Sequence, residues 1–148
     1  MSQQEEDQNT SILFRCIIPG RVGIKKNNRR IISNYGRRFL LCSEHFLNWE
    51  MEAKHYVKQA MVNLVDVPIT CLLHAEYEFH FKNHQGEPDT SNCIEGPQDI
   101  LQKLEVIRND KQIISLRAEK FFGVEPKTVI TLRKAMVASQ TPKDQTAC

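Results

Sequence analysis

Acidic side chains flank a short apolar helical run in the second half of the chain. Asp89 precedes the run and Asp110 follows it. Glu95 and Asp99 lie between them, four residues apart, so they share a face of any helix that contains both. A hard divalent cation takes clustered carboxylate oxygens, and we expect the short helix to fold its acidic ends toward one another. The pattern predicts a metal site that activates water for phosphodiester hydrolysis.

An ordinary explanation for the same acids stays open at this point. Acidic side chains near a helix N-terminus stabilise the helix dipole, and Asp is common in turns. Carboxylates held close together also repel unless a cation or a base compensates them, which favours the metal. We interpret Asp99 as a supporting acid rather than a direct ligand.

A basic segment precedes this acidic region. No Asp or Glu occurs between Gln8 and Ser43. The segment contains Arg15, Arg21, Lys25, Lys26, Arg29, Arg30, Arg37 and Arg38. Such an unbalanced run is typical of a surface that binds a polyanion, since acids usually intersperse on a merely solvated surface. We therefore predict nucleic-acid binding, with a solvated basic loop as the alternative.

Hydrophobic periodicity predicts the elements that position these residues. Strands are expected at 12–18 and, as a hairpin around Asn34-Tyr35-Gly36, at 29–33 and 37–41. Ser43 is a good N-cap for a long amphipathic helix that runs to about Leu64. Further strands are expected at 69–81, 112–119 and 127–132. Two helices packed on one mixed β-sheet make an α+β fold.

Two points along this path are ambiguous. The second helix starts either at Asn92, in a capping box with Glu95, or at Gly96-Pro97. The strand at 69–81 carries Cys71 and His74 at a separation that suggests a pair of metal ligands. Their side chains point to opposite faces of the strand, so we expect no closed zinc site there.

The chain of 148 residues is expected to form one domain between polar tails at 1–10 and 136–148. Five cysteines form no CxxC pair, and no signal peptide or transmembrane run is visible. These features favour a reducing compartment, so we expect a cytoplasmic protein.

These motifs resemble the RusA family of Holliday-junction resolvases of bacteria, prophages and phages. The family's Asp-x-Asp-Asn turn, helix Asp and Asp-Asp-x-Gln segment are matched by Asp89-Thr90-Ser91-Asn92, Asp99 and Asn109-Asp110-Lys111-Gln112. The basic segment from Ile18 to Gly36-Arg37 also resembles phage members. The likeness covers about residues 12–132 and assigns 11–135 to a RusA-like nuclease domain.

The resemblance implies a homodimer that binds four-way DNA junctions and nicks two strands symmetrically, using Mg²⁺ with Mn²⁺ as a possible substitute. It makes Asp89 and Asp110 essential acids, with Asn92 and Asp99 in support, and places Lys25, Lys26 and Asn27 near the DNA. We add Arg21, Arg29, Arg30, Arg37 and Arg38 to the predicted DNA surface. The expected setting is a bacterial cell or a phage-infected host.

The chain departs from the family pattern at three positions. Ser91 replaces the second acid of the turn, Glu95 replaces a lysine, and Asn109 replaces the first Asp of the pair. We hypothesise that Glu95 restores the charge lost at Ser91 and is a metal ligand with Asp89 and Asp110, while Ser91 itself stays in the metal site as a poorer, hydroxyl ligand. The alternative is a non-catalytic junction-binding or nucleic-acid-binding protein on the same fold; a small interaction module without nucleic acid is a weaker third possibility.

Overall fold

The structure is a computed structural model that describes residues 12–25, 30–41, 43–64 and 66–136. The predicted tails fall largely outside these ranges, as do Lys26, Asn27 and Arg29. Six strands are described: β1 (Ile12–Pro19), β2 (Arg30–Asn34), β3 (Arg37–Leu41), β4 (Leu73–Phe81), β5 (Ile113–Phe122) and β6 (Lys127–Lys134). Two helices, α1 (Glu44–Met61) and α2 (Thr90–Lys103), and a 3₁₀ turn (Asp110–Gln112) complete the order.

Four strands form one sheet in the order β1-β6-β4-β5. Strands β1 and β4 both pair antiparallel with β6, while β4 and β5 are parallel. Parallel neighbours need a crossover connection, and α2 supplies it between β4 and β5. The prediction of an α+β fold with a mixed sheet and two main helices is confirmed.

The core lies on one face of β4. Its alternate side chains, namely Leu73, Ala75, Tyr77, Phe79 and Phe81, are all buried, as the period of two predicts. The predicted N-cap of α1 is also confirmed, because Ser43 Oγ accepts from the Phe46 amide at 3.2 Å. The helix ends at Met61, slightly before the predicted Leu64.

Trp49 of α1 joins three segments. A Cβ placed on Gly23 would lie 3.0 Å from Trp49 Cβ, and one placed on Gly96 would lie 3.0 Å from Trp49 Cζ3. These distances are tighter than nine in ten real Cβ contacts, so a side chain at either position would have to displace the indole by a few tenths of an ångström, and glycine lets the loop after β1 and the helix α2 approach it without that shift. The contact fixes the loop against both helices.

The hairpin β2–β3 turns at Tyr35 and Gly36, as predicted. Both residues have positive φ, 51° and 74°. Two consecutive left-handed residues are typical of a type I′ turn, whose twist matches that of the flanking strands. The turn residues and Arg37 and Arg38 are exposed.

Two predicted boundaries are wrong. Helix α2 starts at Thr90 with Asp89 at its N-cap, rather than at Asn92 or Gly96-Pro97, and Pro97 lies buried inside it. Strand β4 starts at Leu73 rather than Ile69. Ile69 forms only an isolated parallel bridge with Ile107, and the carbonyls of Ile69 and Cys71 accept hydrogen bonds from the Gln112 side chain.

Among the described cysteines, Cys16 and Cys93 are buried free thiols, and burial raises the pKa of each to about 11. Cys71 is disulfide-bonded. Within the part of the chain that the structure describes, neither helix has the length and apolar character of a membrane span.

Candidate active site

Asp89 lies at the N-terminal end of α2, at the end of the loop that follows β4. It is the N-cap residue, but its side chain makes no capping hydrogen bond and is exposed. An exposed carboxylate at a helix N-terminus sits in favourable positive potential and is accessible from solvent. This position suits an acid that meets a ligand rather than one that only holds the helix.

The loop before Asp89 is fixed by contacts to β5. His84 stacks on Phe122 with ring centroids 3.7 Å apart, and Lys120 Nζ lies 3.5 Å from Glu87. The hydrogen bond with His84 holds the pKa of the Glu87 carboxyl below its ordinary value, and Lys120 adds to this lowering against a desolvation effect. Asp89 therefore lies at the end of the sheet where β5 finishes.

Asp110 is positioned by its neighbours in the 3₁₀ turn. Asn109 Oδ1 accepts from the Lys111 amide at 2.9 Å. Gln112 Oε1 accepts from the amides of Arg108 and Asn109 at 2.7 and 2.9 Å. Gln112 Nε2 donates to the carbonyls of Ile69 and Cys71 at 2.7 and 3.0 Å.

The role of Gln112 was missed from the sequence. Asn109 and Gln112 form a capping box, which the Asn-x-x-Gln spacing could have indicated. Through this box and the two carbonyls, Gln112 ties the turn to the segment that leads into β4. Asp110 itself is exposed beside this anchor.

Asp89 and Asp110, the two acids predicted to be essential, lie at opposite ends of the crossover. Leu73 aligns with Ile113 and Phe81 with Phe122, so Asp110 lies where β4 and β5 begin and Asp89 lies beyond their other end. A helix of 14 residues is about 21 Å long. The expectation that the helix folds its acidic ends toward one another is wrong, because a parallel pair requires the helix to run the length of the strands.

The metal site predicted from Asp89, Asp110, Glu95 and Ser91 is therefore not assembled within one chain. The described residues contain no group of three or more His, Cys, Asp or Glu side chains placed to hold a metal ion. Ser91 is exposed and Asn92 half-buried on the first turn of α2, and Glu95 is half-buried on the second. Asp99 is held by an ion pair in which Lys25 Nζ lies 2.7 Å away.

The predicted DNA-binding residues divide into two groups. Arg37 and Arg38 are exposed on β3, opposite Asn34 and Ser33. Arg21 and Lys25 are engaged within the chain: Arg21 donates to the Gly86 carbonyl and lies over the Phe81 ring at 5.7 Å. Arg30 lies in β2. Lys26, Asn27 and Arg29 are outside the described residues, so their predicted role is not addressed.

A cleft of about 330 Å³ reaches Pro88, the residue before Asp89. It is lined by Arg21, Val22, Ile24, Ser43, His45, Gly86 and Pro88. The N-terminus of α1 and the loop before α2 form its walls, so a cation, a hydroxyl and an imidazole face one opening next to an exposed acid. The cleft is wide enough to admit a phosphate group.

Comparison with protein families identifies the family of the chain. A family profile described as "Endodeoxyribonuclease RusA" matches residues 21–133. The match covers the β2–β3 hairpin, both helices and the two acids predicted to be essential, Asp89 and Asp110, which is more than half of the chain. No curated protein matches the chain.

Proposed function

Because the chain belongs to the RusA endodeoxyribonuclease family, we propose that it is a Mg²⁺-dependent endonuclease that resolves four-way DNA junctions by paired, symmetric nicks. The setting proposed is DNA recombination, repair or phage DNA processing in the cytoplasm of a bacterium or an infected host. The observation that carries this proposal is the family match, which spans the basic hairpin and the acids on both sides of α2. The nuclease unit proposed is residues 11–135, acting as a homodimer.

The residues proposed to bind the metal are Asp89, Glu95 and Asp110. Carboxylate oxygens suit Mg²⁺, and Mn²⁺ accepts similar ligands. Ser91 contributes a hydroxyl, a poorer ligand, where the family has an acid. One chain alone does not fit the ion, since Asp110 lies far from the other two acids.

The residues proposed to hold the DNA backbone begin with Arg37 and Arg38. Both are exposed and close to the hairpin turn, so they can reach phosphates from the surface. Lys26, Asn27, Arg29 and Arg30 are proposed to extend this surface. Phosphate contacts carry no sequence information, so junction selectivity is proposed to come from DNA shape, with steep salt dependence.

Arg21 and Lys25 have a more local role in this proposal. Arg21 holds the loop that leads to Asp89 through the Gly86 carbonyl. Lys25 compensates Asp99 on α2. We propose that Arg21 and Lys25 contact DNA phosphates only as parts of the surface that they stabilise.

The experiment that tests the function is cleavage of a labelled synthetic four-way junction beside a matched linear duplex, in Mg²⁺ and in EDTA. We expect paired nicks in the junction alone, lost in EDTA. Asp89→Asn should abolish cutting and keep or improve junction binding, because the Asp89 side chain makes no capping hydrogen bond that the change could break, and the change removes a charge near phosphate. Asp66→Asn, at another exposed acid, is the matched control and should cut normally.

The separation of Asp89 and Asp110 within one chain also favours a second candidate, a junction-binding protein without catalysis. It would bind the junction and leave it intact in both Mg²⁺ and Mn²⁺. In that case Asp89→Asn would change only the affinity. Cleavage that depends on Asp89 excludes this candidate.

A further inference from the structure

We propose that Tyr35, at the tip of the β2–β3 hairpin, stacks on an exposed base pair at the centre of a four-way junction and so favours junctions over continuous duplex. This inference rests on the proposed function for the identity of the DNA. It deepens that function by naming the residue that recognises the branched structure and the feature of the DNA that it contacts.

The first step is the exposure of the Tyr35 side chain, which is 97% exposed. Among the Phe, Tyr and Trp side chains that the structure describes, the others are buried or half-buried, such as Tyr77 in the core. A Cβ placed on the adjacent Gly36 would have no described atom within 4 Å outside its chain neighbours. The ring therefore extends from the tip into solvent, where it is available to a partner.

The second step is the backbone at the turn. Tyr35 has a φ of 51°, in the left-handed region that bulky L side chains rarely adopt. The first central position of a type I′ turn is most often Asn, Asp or Gly. A tyrosine there makes the turn less favourable, and a ring this exposed regains none of that loss through packing within the chain. A role for the ring outside the fold accounts for both the conformation and the exposure.

The third step is the charge around the ring. Residues 30–41 contain three arginines and no Asp or Glu. Arg37 and Arg38 follow the turn directly and are exposed. Successive side chains of a strand point to opposite faces, so the hairpin presents one of these two cations on each face. The tip therefore combines an aromatic ring with cations on both sides, and this combination binds nucleic acid through base stacking and phosphate contacts.

The fourth step is the difference between a junction and a duplex. Within a duplex each base pair is covered on both faces, so a ring can stack only after two neighbouring pairs separate, which costs stacking free energy. At the centre of an open four-way junction, the last pair of each arm lacks a neighbour on one side, and stacking there costs far less. The arms on either side carry the phosphates for Arg37 and Arg38. Tyr35 therefore adds affinity for the junction and little for the duplex.

The test compares Tyr35→Asn with Tyr35→Phe. The Asn variant removes the ring but creates an Asn-Gly pair, which is a preferred sequence of the type I′ turn, so the hairpin is retained. The Phe variant keeps the stacking ring and removes only the hydroxyl. Binding to a labelled four-way junction and to a linear duplex of the same sequence is measured by fluorescence anisotropy. EDTA is present, so that no strand is cut and the phosphate repulsion that holds the arms apart is not screened by divalent ions.

We expect Tyr35→Asn to bind the junction about 5- to 150-fold more weakly than the wild type and to bind the duplex equally well. Because stacking releases no counterions, the salt dependence of junction affinity should be unchanged. Arg37→Gln is the contrasting variant, which should weaken binding to both DNAs and reduce the salt slope by about one. Tyr35→Phe should match the wild type in both respects.

The stacking itself has a direct readout in the fluorescent adenine analogue 2-aminopurine, whose emission depends on how it is stacked. Placed at the branch point, it should respond to saturating wild type or Tyr35→Phe, and not to saturating Tyr35→Asn. Placed in the middle of an arm, it should respond to none of the three.

The outcomes separate this inference from the proposed function. An unchanged junction affinity in Tyr35→Asn, which would assign the ring to a protein contact, overturns the stacking proposal. Equal losses for junction and duplex, or a branch-point signal that Tyr35→Asn reproduces, also overturn it. A wild-type chain that favours the junction through Tyr35 but cuts none in Mg²⁺ refutes the proposed cleavage alone. A wild-type chain that binds neither DNA refutes both.

Discussion

Lys25 donates to Asp99 across 2.7 Å and joins the loop after β1 to helix α2, 74 residues further along the chain. Both side chains are about one-third exposed, at 31% and 35%. The pair therefore adds little stability but neutralises a carboxylate beside the proposed DNA surface. It also lies near the Gly23 contact with Trp49, so loop and helix meet at more than one point.

Replacing Asp99 by Asn should raise junction affinity. The change removes a negative charge from the DNA-facing side and releases Lys25 toward phosphate, while a partly exposed ion pair contributes only about 0–1 kcal/mol to folding. Fluorescence anisotropy with a labelled junction at two salt concentrations measures this, and the salt slope should steepen. Glu50→Gln breaks ion pairs to Lys54 and Lys103 and serves as the charge-matched control. Equal affinity gains in both variants would show a general charge effect.

Replacing Gln112 by Ala should destabilise the fold and displace Asp110. The Gln112 side chain makes four hydrogen bonds to backbone groups, and a lost hydrogen bond costs about 0.5–1.5 kcal/mol each, less where water replaces it. We expect a loss of about 1–3 kcal/mol in urea unfolding. Gln102→Ala, exposed on α2, should change stability little. An unaltered midpoint for Gln112→Ala would mean that water fully substitutes for the side chain.

Replacing Glu95 by Gln should remove metal-dependent cleavage and keep DNA binding. The substitution preserves shape but removes the carboxylate that is proposed to compensate for Ser91. Junction cleavage and junction binding are measured on the same preparation, with Glu52→Gln on the exposed side of α1 as the control. If Glu95→Gln cuts at the wild-type rate, the compensation hypothesis is wrong and Asp89 and Asp110 act without this residue.

Acidification should destabilise the fold through His80. Burial lowers the pKa of the His80 imidazole below 6.5, and Lys127 adds to the lowering against Glu78. The unfolded chain then takes up a proton before the folded chain does, so stability falls as the pH drops below the unfolded value. Thermal unfolding at about pH 7.5 and about pH 5.5 tests this. His80→Gln should reduce the difference between the unfolding temperatures measured at the two pH values. The same change at the exposed His45 should not.

Much of the fold was predictable because its signals are local. The period-two pattern of β4, the Ser43 cap and the Tyr35-Gly36 turn each depend on neighbouring residues, and all three are confirmed. The basic hairpin and the acids at both ends of α2 were also recognisable from residue type and order.

The geometry of the site was not predictable in the same way. The acids at the two ends of α2 are far apart because β4 and β5 are parallel, which makes the helix span the length of the strands. No local sequence pattern indicates whether two strands pair in parallel or antiparallel. Gln112 illustrates the same limit, because its partners Ile69 and Cys71 lie some forty residues earlier. The acids were identified from the sequence, but their distance from each other required the topology.

Trp49 is the single tryptophan of the chain. Because its indole is packed against Gly23 and Gly96, its fluorescence emission is an intrinsic optical probe of whether the loop and α2 are seated. Excitation of the tryptophan in the unlabelled protein therefore reports whether the loop after β1 and α2 are packed together, without any engineered dye. The same signal can follow junction binding and unfolding in one cuvette.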